Sequence, residues 1–360
     1  MVTFQPATVK AQSRTLVVPD EYSTIQTAIN AASSGDTIYV KNGLYHEALM
    51  ISKPLNLIGE STQNAIINGG NVGNVVQVSG NNIAISGFTI EDAGTSEWAG
   101  YGYPDSCIDV HDGSYVTISN TTLTNATVGV WLYDSYNTII DGDLVFSTTT
   151  MGIVAYSDTN VTVNGNTVKD CGLTGIHLDG SSLSCTITNN KVISCSTGIA
   201  TEKSDQNLIK QCVLLNDNLS LSFTSSGENQ VQYCIMSNGY IGAGFYQSND
   251  NTFTHNSFVN NTEQVVSDLD FSSPTLESSS ASSQNTWDDG KVGNYWSDYD
   301  GKGDYVIDAN NVDHHPLTQQ PNLTSPNPAV PEFPTLIILP LFAFATILSI
   351  VLTKRRKAKR

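Results

Sequence analysis

Asp109 and His111 stand two residues apart in the run YGYPDSCIDVHDG, residues 101–113. In a strand, positions i and i+2 share a face, so a carboxylate and an imidazole are presented side by side. Tyr101 and Tyr103 are close enough in sequence to fold back over them. A base, an acid and a group that neutralises a carboxylate are what proton abstraction next to a uronate carboxyl requires, so a lyase, epimerase or hydrolase reaction at Asp109 and His111 is one reading. The same run holds no Lys or Arg to grip an anionic sugar, which argues against a uronate, and the sequence leaves turnover open.

Similar alternation extends the surface. The units open on a strand whose first and third positions are expected to point inward, as with Ile108 and Val110, Val130 and Leu132, Ile153 and Ala155, and Ile176 and Leu178. The residues between them then point outward. One outward column reads Asp109, Trp131, Val154, His177, Ala200 and Ser222, and the other His111, Tyr133, Tyr156, Asp179, Glu202 and Thr224. Aromatic faces stack on sugar rings, and carboxylates and imidazoles hydrogen-bond hydroxyls. A glycan-binding strip is therefore expected from Trp131, Tyr133, Tyr156, His177, Asp179 and Glu202, with Trp98 from a neighbouring insertion walling one end. The competing reading is that these side chains only stabilise cross-strand pairs, as in a structural envelope or adhesion protein.

Two further groups invite cations. Asp298, Asp300 and Asp304 alternate beside glycines in DYDGKGD, an oxygen-rich pattern that suits Ca2+. His314 and His315 are adjacent, so a strand would point them to opposite faces, and copper is not expected there. The six cysteines lack C-x-x-C spacing, which argues against zinc and for buried thiols stacked in ladders.

These side chains are positioned by a repeat. From Ile108 to about Gln264 one pattern recurs roughly every 22 residues, with short runs of β-branched residues split by Asn, Gly, Ser and Asp and no helical period. A strand of four or five residues cannot bury its face alone, but coils stacked about 4.8 Å apart give each strand a neighbour above and below. The expected fold is all-β, a parallel β-helix. In the template Φ-x-x-Asn-x-Φ, Asn166, Asn190 and Asn256 are expected to stack as a ladder that satisfies turn backbone.

The segment DEYSTIQTAINAASSG, residues 20–35, has capping-box spacing at Ser23 and Gln26 and places Ile25, Ala28, Ile29 and Ala32 on one face. A short helix capping the first coil is expected. The opening run from Val18 to Glu60 resembles that of the pectin-lyase-like superfamily of right-handed β-helices, closest to the NosD-like surface and periplasmic proteins, and NTWDDGKVGNYWSDYDGKGDYVIDANNVDHHPL resembles their C-terminal element. That resemblance covers about residues 18–317 and implies the fold, with Trp287, Tyr295 and Trp296 as a plug over the last coil. It does not imply one activity, because the fold hosts lyases, hydrolases, epimerases, adhesins and binding proteins. DVHD resembles the D-P-H-D element of β-helix alginate epimerases and lyases, with Val110 in place of the proline.

The expected organisation is a signal-peptide remnant at 1–12, the cap and first coil at 13–60, and coils at 61–271 interrupted by an insertion at 91–107. A loop and C-terminal cap follow at 272–318, then a proline-rich stalk at 319–334. Residues 335–353 form an uncharged apolar run long enough to span a bilayer, and 354–360 are basic. By the positive-inside rule the tail is cytoplasmic and the β-helix extracellular. Pro-Glu-Phe before the span resembles a PEF-type sorting signal of archaeal surface proteins, implying a cell-surface, membrane-anchored protein and surface-layer components as partners. Acidic residues number 34 against 16 basic ones, and six of the sixteen lie in that tail. The β-helix is thus strongly acidic, which argues against nucleic acid.

Overall fold

The computed structural model describes residues 13–97, 103–269 and 283–322. Trp98 and Tyr101, the signal remnant, most of the stalk, the apolar run at 335–353 and the basic tail lie outside the described residues. Among the described residues no helix is long and apolar enough to cross a membrane.

Alternation of small apolar and polar residues yields strands of three to six residues in most coils. They stack in parallel register into an 11-stranded sheet and a 19-stranded sheet. The larger sheet contains two faces of the coil, joined where Thr122–Tyr133 and Leu144–Tyr156 run continuously across a corner. Among the described residues, only the short pair Tyr305–Val306 and Val312–Asp313 is antiparallel. The inward positions, Ile108, Val110, Val130, Leu132, Ile176 and Leu178 among them, are fully buried in one continuous core. This is the parallel β-helix that the repeat predicts.

Gly129, Gly152 and Gly175 stack one above another at the start of this face. A Cβ on any of them would come within 2.5–2.7 Å of the carbonyl oxygen of the glycine in the next coil. The repeat therefore needs glycine there for backbone approach, not for turn geometry.

The asparagine ladder forms as expected. Asn190 Oδ1 accepts from Asn166 N and Nδ2 at 2.9 and 3.0 Å, and Asn190 Nδ2 donates to the Val163 carbonyl at 2.7 Å. Asn256 continues the column toward Asn294. Cys212 and Cys234 occupy two rungs between them, and all six cysteines are buried free thiols. A second ladder, Asn207, Asn229, Asn251, Asn285 and Asn311, lines another corner. The sequence reading missed it.

Both ends are closed. Ile25–Ala31 forms the capping helix and buries Ile25, Ala28 and Ile29. Its N-cap is Thr24, not Ser23: Thr24 Oγ1 accepts from Thr27 N, and the Glu47 carboxylate takes the amides of Ile25 and Gln26. A carboxylate from the next coil does the work assigned by spacing to a capping box. At the other end Trp287 stacks on Phe253 and Trp296 on Phe258, with ring centroids 4.7 and 4.3 Å apart. Both indoles are buried, and Tyr295 joins them through a strand pairing with Ser257.

Candidate functional site

The strand register sets both outward columns as the alternation predicts. Asp109 pairs with Trp131 and His111 with Tyr133. Trp131 pairs with Val154 and Tyr133 with Tyr156. Val154 pairs with His177 and Tyr156 with Asp179. Leu178 beside Thr201 sets Asp179 next to Glu202.

Outward does not mean exposed, however. Trp131 is only 1% exposed. With Val128 and Val154 it forms a small apolar cluster on the outer face, packed by Tyr133, Met151 and Tyr156. Tyr156 stacks on its indole at 6.1 Å, and Tyr103 from the insertion lies 6.3 Å away. The expectation of Trp131 as an open sugar platform is corrected: its large neighbours bury it. Tyr133 and Tyr156 remain half-exposed and stacked, 5.6 Å apart and 11° from parallel.

On the near side of this cluster a pocket of about 410 Å³ is lined by Asn74, Gln77, Tyr103, Asp109 and His111, together with Met50 and Ser52. Asp109 Oδ2 accepts from Asn74 Nδ2 at 2.7 Å, and Asn74 Oδ1 in turn holds the Ser106 amide. Asp109 Oδ1 lies 3.5 Å from His111 Nε2, and neither atom has a hydrogen-bond partner. Burial pushes the Asp109 carboxyl up to about 7 and holds the His111 imidazole below its ordinary value. Near neutral pH the pair therefore contains a carboxyl that readily gains or loses a proton and an uncharged imidazole. Tyr103 covers His111 with centroids 4.4 Å apart, and its ring is 40% exposed. It supplies the phenol expected of the insertion. Asn74 and Gln77 belong to the preceding coil, and sequence reasoning missed both; their signal is Gln77, which pairs in register with Asp109.

About three coils further on, roughly 14 Å away by coil rise, stand His177, Asp179 and Glu202. Their ligand atoms all lie within 4.8 Å of one another, and this is the one such trio of His, Cys, Asp and Glu among the described residues. His177 Nδ1 is 3.4 Å from Met151 Sδ. Burial lowers the His177 pKa, keeping the ring neutral, and raises that of Asp179. At the C-terminal cap the acidic groups have other partners. Asp298 accepts from Tyr305 Oη at 3.1 Å, Asp300 accepts from Lys302 N, and Asp304 faces His314 Nδ1 at 2.8 Å. His315 instead faces Asp288, so the two adjacent histidines have separate carboxylates.

No curated protein sequence matches the chain. Among solved structures, the catalytic domain of a GH87 α-1,3-glucanase in complex with nigerose is similar with a TM-score of 0.57 and 12% identity, over 82% of this chain and 66% of that one. XylC in complex with xylose gives 0.55 and 10%, over 69% and 70%. A GH136 lacto-N-biosidase from Eubacterium ramulus gives 0.50 and 11%, over 72% and 64%. At such identities the likeness shows a shared fold. The description "Right handed beta helix region" matches residues 11–182. A second, "Periplasmic copper-binding protein (NosD)", matches residues 101–301. Because that match spans more than half of the chain, and the coils it covers are those of a parallel β-helix, the protein belongs to the NosD family.

Proposed function

We propose that this protein binds a glycan outside the cytoplasm, seating one uncharged sugar ring in the pocket of Asn74, Gln77, Tyr103, Asp109 and His111. The observation that carries the reading is the chemistry of the pocket wall. It offers a half-open phenol ring, a carboxyl, an imidazole and two amides, and no lysine or arginine lines it. Amides and a carboxyl match the donor and acceptor pattern of vicinal hydroxyls, and the Tyr103 face suits the apolar side of a pyranose. The stacked Tyr133 and Tyr156 extend the path away from the pocket toward neighbouring sugars. Support also comes from structural neighbours whose names state glucanase and biosidase activity or a bound sugar.

A second reading is favoured by one observation. Asp109 Oδ1 and His111 Nε2 face each other without other partners, an arrangement suited to exchanging a proton with a bound substrate. On this reading the pocket cleaves or epimerises the sugar it holds.

Anchoring by residues 335–353 and contact with surface-layer components belong to the same proposal. The test is a glycan array probed with the full-length chain, followed by product analysis on every sugar that binds. Binding of neutral glycans that is lost in Tyr103→Ala supports the reading. Release of a new reducing end, abolished in Asp109→Asn, favours catalysis. Absence of binding to any glycan overturns both and leaves a structural role.

A further inference from the structure

We propose that His177, Asp179, Glu202 and Met151 form a binding site for one divalent transition-metal ion, separate from the sugar pocket and independent of that reading. The argument begins with register. His177 and Asp179 occupy alternate positions of the strand Thr174–Asp179 and so share its outward face. Glu202 ends the strand of the next coil, and Met151 lies in the preceding one, paired with Thr174. Three adjacent coils thus direct one imidazole, two carboxylates and one thioether to a single spot.

Distances fit a shared ion. The nitrogen and oxygen ligand atoms lie within 4.8 Å of one another, the span of a first coordination sphere. His177 Nδ1 and Met151 Sδ are 3.4 Å apart. With metal–nitrogen and metal–sulfur bonds of about 2.0 and 2.3 Å, atoms at that separation subtend roughly 100° at a common ion, close to tetrahedral. A contact between imidazole nitrogen and thioether sulfur is a weak hydrogen bond at best, but it is the ordinary distance between neighbouring ligands.

Electrostatics agree. Asp179 receives one backbone hydrogen bond, from Gly180 N to Oδ1, and Glu202 is met by the exposed Lys203 ammonium on Oε1. The two carboxylates lie side by side, and a dication held between them would interact favourably with both.

Nitrogen and sulfur donors select a borderline or soft ion over Ca2+ or Mg2+, and the Irving–Williams order places Cu2+ above Zn2+. The same donors suit the metal named in the family description. No ligand of this site lines the sugar pocket.

The experiment is calorimetric titration of the chelator-stripped full-length chain with Cu2+, Zn2+ and Ca2+, with electron paramagnetic resonance on the copper form. One tight Cu2+ per chain is expected, with Zn2+ weaker and Ca2+ not competing. His177→Ala should weaken it by at least about tenfold and remove the nitrogen coupling from the spectrum, and Glu202→Gln should weaken it with the coupling retained. These side chains lie on the outer face, so circular dichroism of each variant is expected to match the parent. Tight copper binding that survives both substitutions, or that is lost instead in a His314→Ala/His315→Ala double variant, overturns the proposal, as does the absence of any tight site.

Discussion

Asp109 Oδ1 and His111 Nε2 lie 3.5 Å apart on one outward strand face, each without a hydrogen-bond partner, while Asn74 from the preceding coil holds the other Asp109 oxygen. Burial of that carboxyl raises its pKa to about 7. In the unfolded chain it would titrate near 4, so at pH 8 the folded state carries a cost that the unfolded state does not. Asp109→Asn keeps the shape and removes the charge. It should raise the melting temperature most at pH 8, less at pH 5, where the unfolded chain has already lost the proton that the folded state keeps, and little at pH 3, where both states are neutral. An equal change at all these pH values, read by thermal denaturation, would contradict this account.

The ladder corners carry three more buried carboxylates. Burial lifts Asp143 and Asp217 to about 7 and Asp158 to about 8. A raised folded-state pKa means that the folded protein holds protons the unfolded chain has released. Stability therefore falls as pH rises from about 4 to 8, by at most about 1.4 kcal/mol per pH unit per group. The lowered pKa values of His111 and His177 act in the opposite sense below about 6.5. Between pH 8.5 and 6.5 the aspartates dominate, and urea denaturation should show the protein growing more stable as the buffer is acidified. A flat or rising profile toward pH 8.5 would exclude buried protonated aspartates.

Trp131 should behave as a packing residue. Trp131→Ala empties a buried cluster between Val128, Val154 and Tyr156 and should cost about 3–5 kcal/mol. Trp131→Phe fills most of the space, and its glycan affinity should stay within about twofold of the parent, because the indole face is covered. A large loss of affinity in a well-folded Trp131→Phe would return the residue to the binding surface.

Asn190→Ala strips both hydrogen bonds from Asn166 and leaves the Val163 carbonyl without its side-chain donor in a buried turn. Each unsatisfied buried group costs about 1–3 kcal/mol, so a loss of about 3 kcal/mol in chemical denaturation is expected. A loss below about 1 kcal/mol would show that the ladder is decorative.

The solenoid was legible in the sequence because each coil repeats the same problem, a short strand that needs neighbours, and solves it with the same residues. Register followed from alternation, and so did the outward columns from Asp109 to Glu202. Burial did not follow. Whether an outward indole is open depends on the sizes of side chains one coil away, and Tyr133, Met151 and Tyr156 together close over Trp131. Asn74 was also invisible, since it reaches Asp109 across 35 residues of chain and the insertion at 91–107 breaks the period that would have aligned them. Thr24 displaced Ser23 as the helix cap because the Glu47 carboxylate arrives from another coil, a tertiary fact that local spacing does not hold.

The most direct test of the sugar pocket is calorimetric titration of a neutral glycan identified on the array into the parent chain and three variants. Asp109→Asn and Tyr103→Ala lie in the pocket, and Tyr240→Ala is an exposed ring away from it. The account predicts that the two pocket variants lose at least about tenfold in affinity while Tyr240→Ala is unchanged. Equal affinity in all four proteins would place the glycan elsewhere on the β-helix and contradict the assignment of this pocket.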